Sequence, residues 1–170
     1  MIRLATSADA AQLAELAAVT FPLACPPGNT AADIQSFIDG NLTKQHFDGY
    51  LADPDKAVLV ADDFQGYTLT VFNEPTDPDV VTALTKTPSA ELSKCYVRPG
   101  NHGTGLSSEL MTATIELARS RGSAALWLGV NEHNAKANRF YEKHGFAKVG
   151  TKRFHLGDHW EDDYVRELLL

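Results

Sequence analysis

The sequence predicts an α/β sandwich, with a mixed central β-sheet of about six or seven strands and helices on both faces. Three observations lead there. From Glu91 an apolar, β-prone run (Leu92, Cys95, Tyr96, Val97) stops at Pro99, and a glycine-rich turn then opens an amphipathic helix. From Ala124 the scheme repeats, with a strand to Val130, a polar turn over Asn131–Asn134, and a helix from Ala135 that Gly145 stops. The rest of the chain supplies further strand and helix patterns. At 170 residues the chain is expected to form one domain, spanning 1–170.

Each element has a local reason. Ile2-Arg3-Leu4-Ala5 is a short strand. Thr6, Ser7 and Asp9 offer caps to a helix whose apolar positions are Leu13, Leu16, Ala17 and Thr20. Phe21 to Gly28 holds three prolines and a glycine, which predicts a loop from Phe21 onward. Thr30 caps a second helix through Ile34, Phe37 and Ile38, ending near Gly40-Asn41. Thr43 to Leu51 is a third short helix, closed by Asp53-Pro54. Ala57 to Ala61 and Gly66 to Phe72 form a hairpin around Asp62-Asp63-Phe64-Gln65.

Asn73 to Ser89 is a long connection with Pro75, Pro78 and Pro88, and one helical turn around Val80 to Leu84. Glu91 to Val97 is the central strand. In the helix after it Leu106, Leu110, Ala113 and Leu117 form one stripe, flanked by Met111 and Ile115, and Gly122 ends it. Ala147 to Phe154 and Asp162 to Leu169 are the last strands, joined through Leu156-Gly157-Asp158-His159. Trp127 and Phe146 are core aromatics.

Composition narrows the function classes. The formal charge of −7 argues against nucleic acid as a partner. No apolar run is long enough to span a membrane, and Met1-Ile2-Arg3-Leu4 lacks a signal-peptide pattern. Two cysteines, Cys25 and Cys95, make no disulfide framework, so a cytoplasmic location is expected. His155 and His159 are four apart, but Gly157-Asp158 between them marks a turn, so no metal site is expected.

The turn Val97-Arg98-Pro99-Gly100-Asn101-His102-Gly103-Thr104-Gly105-Leu106 is the chemical centre of the sequence. Such a turn leaves backbone N–H groups unpaired at the positive end of a helix dipole, and Gly103 and Gly105 remove side chains that would block close approach. This predicts a phosphate or pyrophosphate pocket; the plain alternative is a tight connection. No Gly-Lys-Ser/Thr closes it, so it is not a P-loop.

Two motifs carry a resemblance. His102-Gly103-Thr104-Gly105-Leu106-Ser107 follows the pattern Arg/Gln-x-x-Gly-x-Gly/Ala, and Asn134, Ala137 and Tyr141, then Gly145-Phe146, follow Asn-x-x-Ala-x-x-x-Tyr before Gly-Phe. In order and separation they resemble the GNAT acyl-CoA-dependent N-acetyltransferases, whose topology is similar over essentially the whole chain. His102 stands where the family has Arg or Gln, and lends charge only when protonated. Ser107 stands where it has Gly or Ala, and its hydroxyl can itself bond a phosphate.

The resemblance implies that the strands ending at Val97 and Val130 splay apart, with acetyl-CoA in the opening and its pyrophosphate against His102, Gly103, Thr104, Gly105, Leu106 and Ser107. Backbone groups of Cys95, Tyr96 and Val97 would face the thioester. Tyr141 would be the acid that protonates the leaving thiolate, and Asn134 would bond the pantetheine or pyrophosphate arm. Glu91 is the candidate base, directly or through a water. The residues also admit plainer roles: a packed helix tyrosine, a helix cap at Asn134, and a solvated strand-end carboxylate at Glu91. Cys95 has no His/Asp partner at a recognisable spacing, so it is read as lining the site and not as a nucleophile.

The tail from Gly150 to Val165 resembles the PaiA-type branch, some members of which acetylate polyamines such as spermidine and spermine. Asp158, Glu161, Asp162 and Asp163 would then attract the cation, or else form an ordinary solvated hairpin turn. Phe21 and Trp160 would line the acceptor site. The expected partner is a small-molecule amine, and the family's habit makes a homodimer one assembly open to the chain. The alternatives are acetylation of a protein N-terminus, a lysine or another small amine, an acyl-CoA-binding regulator without turnover, and a nucleotide-binding protein.

Overall fold

The computed structural model describes residues 1–101 and 103–170. Its strands are β1 (Ile2–Leu4), β2 (Lys56–Ala61), β3 (Gly66–Val71), β4 (Ser89–Val97), β5 (Ala125–Asn131), β6 (Ala147–Leu156) and β7 (His159–Leu169). Its α-helices are α1 (Ala10–Ala24), α2 (Ala31–Asn41), α3 (Lys44–Ala52), α4 (Pro78–Ala83), α5 (Leu106–Ser120) and α6 (Ala135–Lys143). Among the described residues seven strands form one sheet in the order β1-β2-β3-β4-β5-β7-β6. Neighbours are antiparallel except β4 and β5, which are parallel, so the sheet is mixed.

Side chains alternate across the sheet and build a core on each face. On one face Leu13, Leu16, Phe47, Val58, Val60 and Tyr67 pack α1–α3 against β2 and β3. On the other, Leu92, Met111, Leu126, Leu128 and Phe146 pack α5 and α6 against β4 and β5. Trp127, which points away from Leu126 and Leu128, is covered by Val80 of α4. The predicted cap at Thr30 forms, its Oγ accepting from the Asp33 amide at 3.0 Å, and Thr43 Oγ likewise accepts from the His46 amide at 3.3 Å. Asp9, the N-cap of α1, makes no side-chain cap bond to the helix, since its carboxylate takes Arg3 and the Thr6 amide instead.

The central strand starts at Ser89, two residues before the expected Glu91, and two other boundaries differ more. The helix expected to end before Phe21 runs through Pro22 to Ala24. Pro22 lacks an N–H but costs one bond near the helix end, where little ladder remains to lose. Phe21 is buried and stacks on Phe37 at 4.5 Å, which holds the last turn against α2. The last hairpin is also longer than expected, since β6 and β7 pair through Leu156 and His159 and only Gly157-Asp158 turn. Gly157 has φ +61°, the left-handed conformation that suits glycine.

What positions the site is the parting of β4 from β5. They pair only where Ser89, Ala90 and Glu91 meet Ala125, Leu126 and Trp127. On its other edge β4 meets β3 with Leu69 opposite Lys94 and Thr70 opposite Leu92, so Ser93 is an extra residue. Such a bulge bends a strand, and here it lies just past the last β4–β5 pair. The far side of β5 stays zipped to β7 as far as Asn131 opposite Asp163. An opening is left beyond Glu91.

Candidate active site

A cavity of about 520 Å³ fills this opening. Every residue of β4 from Glu91 to Val97 lines it, facing Gly129, Val130 and Asn131 of β5. One end reaches Ser107 of α5 and Asn134, Ala137 and Tyr141 of α6; the other reaches Phe21, Phe37, Phe154 and Asp163. A second depression, of about 390 Å³, runs along the outer surface of the single helix α5 and gathers no such groups.

At the first end the backbone carries the chemistry. Gly103 and Gly105 have φ +79° and +83°, and Gly105 is the N-cap of α5 with no side-chain cap. The helix ladder starts with Glu109 N–H to Gly105 O, so the amides of Ser107 and Ser108 have no acceptor among the described residues. Thr104 Oγ takes only the Leu106 amide, at 3.4 Å. Two free N–H groups at a helix N-terminus form a concave anion cradle. Arg98 Nε to Phe64 O (2.9 Å) and Asn101 Nδ2 to Gln65 Oε1 (3.1 Å) tie the turn to the β2–β3 connection. His102 lies outside the described residues. Of the loop's expected ligands, Ser107 lines the cavity itself, while Gly103, Thr104, Gly105 and Leu106 form the turn leading to it.

On α6, Asn134 is the N-cap and its Oδ1 accepts from the Ala137 amide at 3.1 Å. The cap role is therefore filled, and the side-chain NH2, with no partner among the described residues, still faces the cavity. Tyr141 stands edge-on to Phe140 and Phe146, at 5.5 and 5.9 Å. Its hydroxyl has no partner among the described residues, and burial raises its pKa well above the usual value. It is a neutral phenol that can donate a hydrogen bond. Burial also pushes the Cys95 thiol up to about 12, so the site does not hold it as a thiolate.

The second end is a wall of rings above a floor of charges. Phe21, Phe37 and Phe154 follow one another at 4.5 and 5.6 Å. Below them lie Glu91, Lys94, Lys152, Glu161 and Asp163. Burial raises the Glu91 pKa, against the lowering by Lys152 and Lys94. Burial lowers that of Lys94, whose Nζ lies 5.6 Å over the Tyr50 ring. Asp163 is pushed to about 6, again by burial, with Lys152 opposing and Glu161 and Asp162 adding. Its Oδ2 lies 3.9 Å from Lys152 Nζ. Gly129 makes room for this pair, since a Cβ there would stand 2.9 Å from Lys152 Cε and 3.3 Å from Asp163 Oδ2.

The cavity thus brings together Glu91, Cys95, Tyr96, Val97, Ser107, Asn134, Tyr141 and Phe21. It does not include Trp160, which is half exposed on the last hairpin, stacked on His155 at 4.6 Å with Arg153 over its ring. Lys94 and Lys152 were missed by sequence reasoning, and Asp163 appeared there only as one acid of a hairpin. The available signal was Gly129, since glycine inside a strand often marks close approach by another group. Among the described residues no group of three or more His, Cys, Asp or Glu side chains could hold a metal.

Comparison with known proteins gives a consistent result. Residues 12–146 match the model of the acetyltransferase (GNAT) family. An uncharacterized N-acetyltransferase of Mycobacterium tuberculosis is 45% identical over 166 residues, covering 95% of this chain and 99% of that protein. The crystal structure of the PaiA N-acetyltransferase of Thermoplasma acidophilum, in complex with coenzyme A, superposes with a TM-score of 0.78 at 19% identity, covering 100% of this chain and 98% of that one. A ribosomal-protein-alanine N-acetyltransferase structure from Brucella melitensis gives 0.66 at 26% identity, covering 100% and 99%.

Proposed function

The chain belongs to the GNAT acetyltransferase family, and on that premise we propose that it transfers the acetyl group of acetyl-CoA to a primary amine by direct attack in a ternary complex. The observation that carries this reading is the continuous cavity between β4 and β5, with an anion cradle and a free phenol towards one end and buried carboxylates at the other. The residues fit an acyl-CoA. The Ser107 and Ser108 amides suit its pyrophosphate, and the Asn134 NH2 suits its polar arm. Acetyl-CoA supplies an activated thioester; the rest is the chain's own work.

An alkylamine with a pKa near ~10.4 is neutral in only about one molecule in a thousand at pH 7.4, so a proton has to leave it before attack, and a carboxylate of the floor is placed to take it. Backbone N–H groups on the free edge of β4, around Cys95 to Val97, stabilise charge developing on the carbonyl oxygen, each by about 3 kcal/mol. Tyr141 donates to the departing sulfur. A thiol pushed to about 12 leaves Cys95 out of any covalent step.

The finer reading is a polyamine acceptor. It is supported by the tail's similarity to the PaiA-type branch and by Glu91, Glu161 and Asp163 at the acceptor end. A second reading, a protein N-terminus or another small amine, is favoured by Lys94 and Lys152, whose charges at the same end oppose a polycation. The test is CoA release from acetyl-CoA with spermidine, spermine, short peptides and small monoamines. Saturable turnover with an amine is expected. Binding of acetyl-CoA without turnover of any amine would make the chain an acyl-CoA-binding regulator instead.

A further inference from the structure

We propose that Asp163 is the base that takes the proton from the acceptor's ammonium, with Lys152 as the positioning residue that holds its carboxylate in the opening. The inference rests on the acetyltransferase reading and deepens it. Asp163 is 8% exposed, lines the cavity, and accepts no hydrogen bond among the described residues. Its nearest cation, Lys152 Nζ at 3.9 Å, is too far for a hydrogen bond. Buried carboxylates are ordinarily hydrogen-bonded, so one left bare against a cavity is poised for a donor from outside. Gly129, which lines the same cavity, lets the pair lie against its bare backbone, where a side chain would stand against both Lys152 and Asp163.

Position separates Asp163 from Glu91. Glu91 lies opposite Trp127, in the last β4–β5 pair, at the closed end. Asp163 lies opposite Asn131, four residues further along β5 and level with the stretch where β4 has left it. That stretch carries the free edge of Cys95 to Val97.

Charge supports the assignment. The charges acting on Asp163 are Lys152 of β6 and Glu161 and Asp162 of its own strand, and Glu91, Lys94 and Tyr96 of β4 line the same cavity. Burial outweighs Lys152 and brings the carboxyl to about 6. It stays ionised at neutral pH, yet holds a proton about a hundredfold more tightly than an ordinary carboxylate. Two protons leave the nitrogen. One passes to an Asp163 oxygen and on to water, freeing the lone pair that forms the C–N bond. As that bond forms the C–S bond breaks, sulfur leaves with the electron pair, and the second proton ends on it by way of Tyr141.

The test is kcat/KM against pH with acetyl-CoA and spermidine, or the fastest amine of the panel, beside a 13C titration of the Asp163 carboxyl. The wild type should show an acidic limb near pH 6, matching the carboxyl midpoint. Asp163→Asn should lower kcat/KM by about 100-fold or more and remove the limb, with acetyl-CoA affinity unchanged. Lys152→Met should move both limb and midpoint to higher pH, because a neighbouring positive charge is lost. Glu91→Gln should leave the limb in place. The proposal is overturned if Asp163→Asn keeps wild-type kcat/KM, if Glu91→Gln is the variant that loses the limb, or if the carboxyl titrates near 4. The last outcome needs no acceptor, so it separates failure of this assignment from failure to find any turnover.

Discussion

Cys95 and Asp163 show how one cause, burial beside a cavity, gives opposite chemical consequences. Burial takes the thiol to about 12, out of reach of a thiolate mechanism, and the carboxyl to about 6, into the range of a useful base. Cys95→Ala should therefore keep CoA release within about tenfold of wild type, whereas a lost nucleophile would abolish it. Asp163 also has a signature in stability. Its folded pKa lies above the unfolded value of 3.8, so the fold is destabilised as pH rises from about 4 to about 6, and by a constant amount above that. Asp163→Asn should be more stable than wild type by roughly 2–3 kcal/mol at pH 7.5, and equal to it near pH 3 in thermal melts. Little of this was legible beforehand. The motif residues Asn134 and Tyr141 are read from a helix pattern a few residues long. The meeting of Lys152, Asp163 and Gly129 depends on strand pairing across three separate segments.

The elements were legible where local signals agreed and less so where tertiary packing overrode them. Thr30 caps α2 as its sequence predicts. Pro22 is tolerated inside α1 because Phe21 finds Phe37 on α2, a partner that local reasoning about prolines leaves out. The bulge at Ser93 had no sequence mark, and yet it lies where β4 leaves β5. The Gly-rich turn is the element most exposed to test. Gly105 has φ +83° with open space where a Cβ would stand, so Gly105→Ala costs about 1 kcal/mol of backbone strain and no clash. Its expected effect is a raised KM for acetyl-CoA with a smaller change in kcat, measured by steady-state kinetics. An unchanged KM would mean that the Ser107 and Ser108 amides do not hold the pyrophosphate.

At the scale of the molecule, the opening is a property of the whole sheet. Its floor is the junction of the β1–β4 half with the β5–β7 half, and its walls come from helices on both faces. A ligand there touches both cores, so binding should stabilise the fold as a unit. Acetyl-CoA at a hundred times its Kd should contribute about 2.7 kcal/mol, and raise Tm by roughly 5–10 °C in a chain of this size. A larger shift with ATP or NAD than with CoA would point to a nucleotide-binding protein. A mixed sheet was expected because strand and helix patterns alternate along most of the sequence, while its topology was expected only from the family resemblance. The acceptor end was not, since its wall joins α1 and α2 to β6 and β7 from opposite ends of the chain. The central claim is that acetyl transfer occurs in this opening with Tyr141 as the acid. The most direct measurement is steady-state CoA release by wild type and Tyr141→Phe with a saturating amine. A fall in kcat of about 100-fold, with acetyl-CoA affinity retained, is predicted; an unchanged kcat would contradict it and remove Tyr141 from the mechanism.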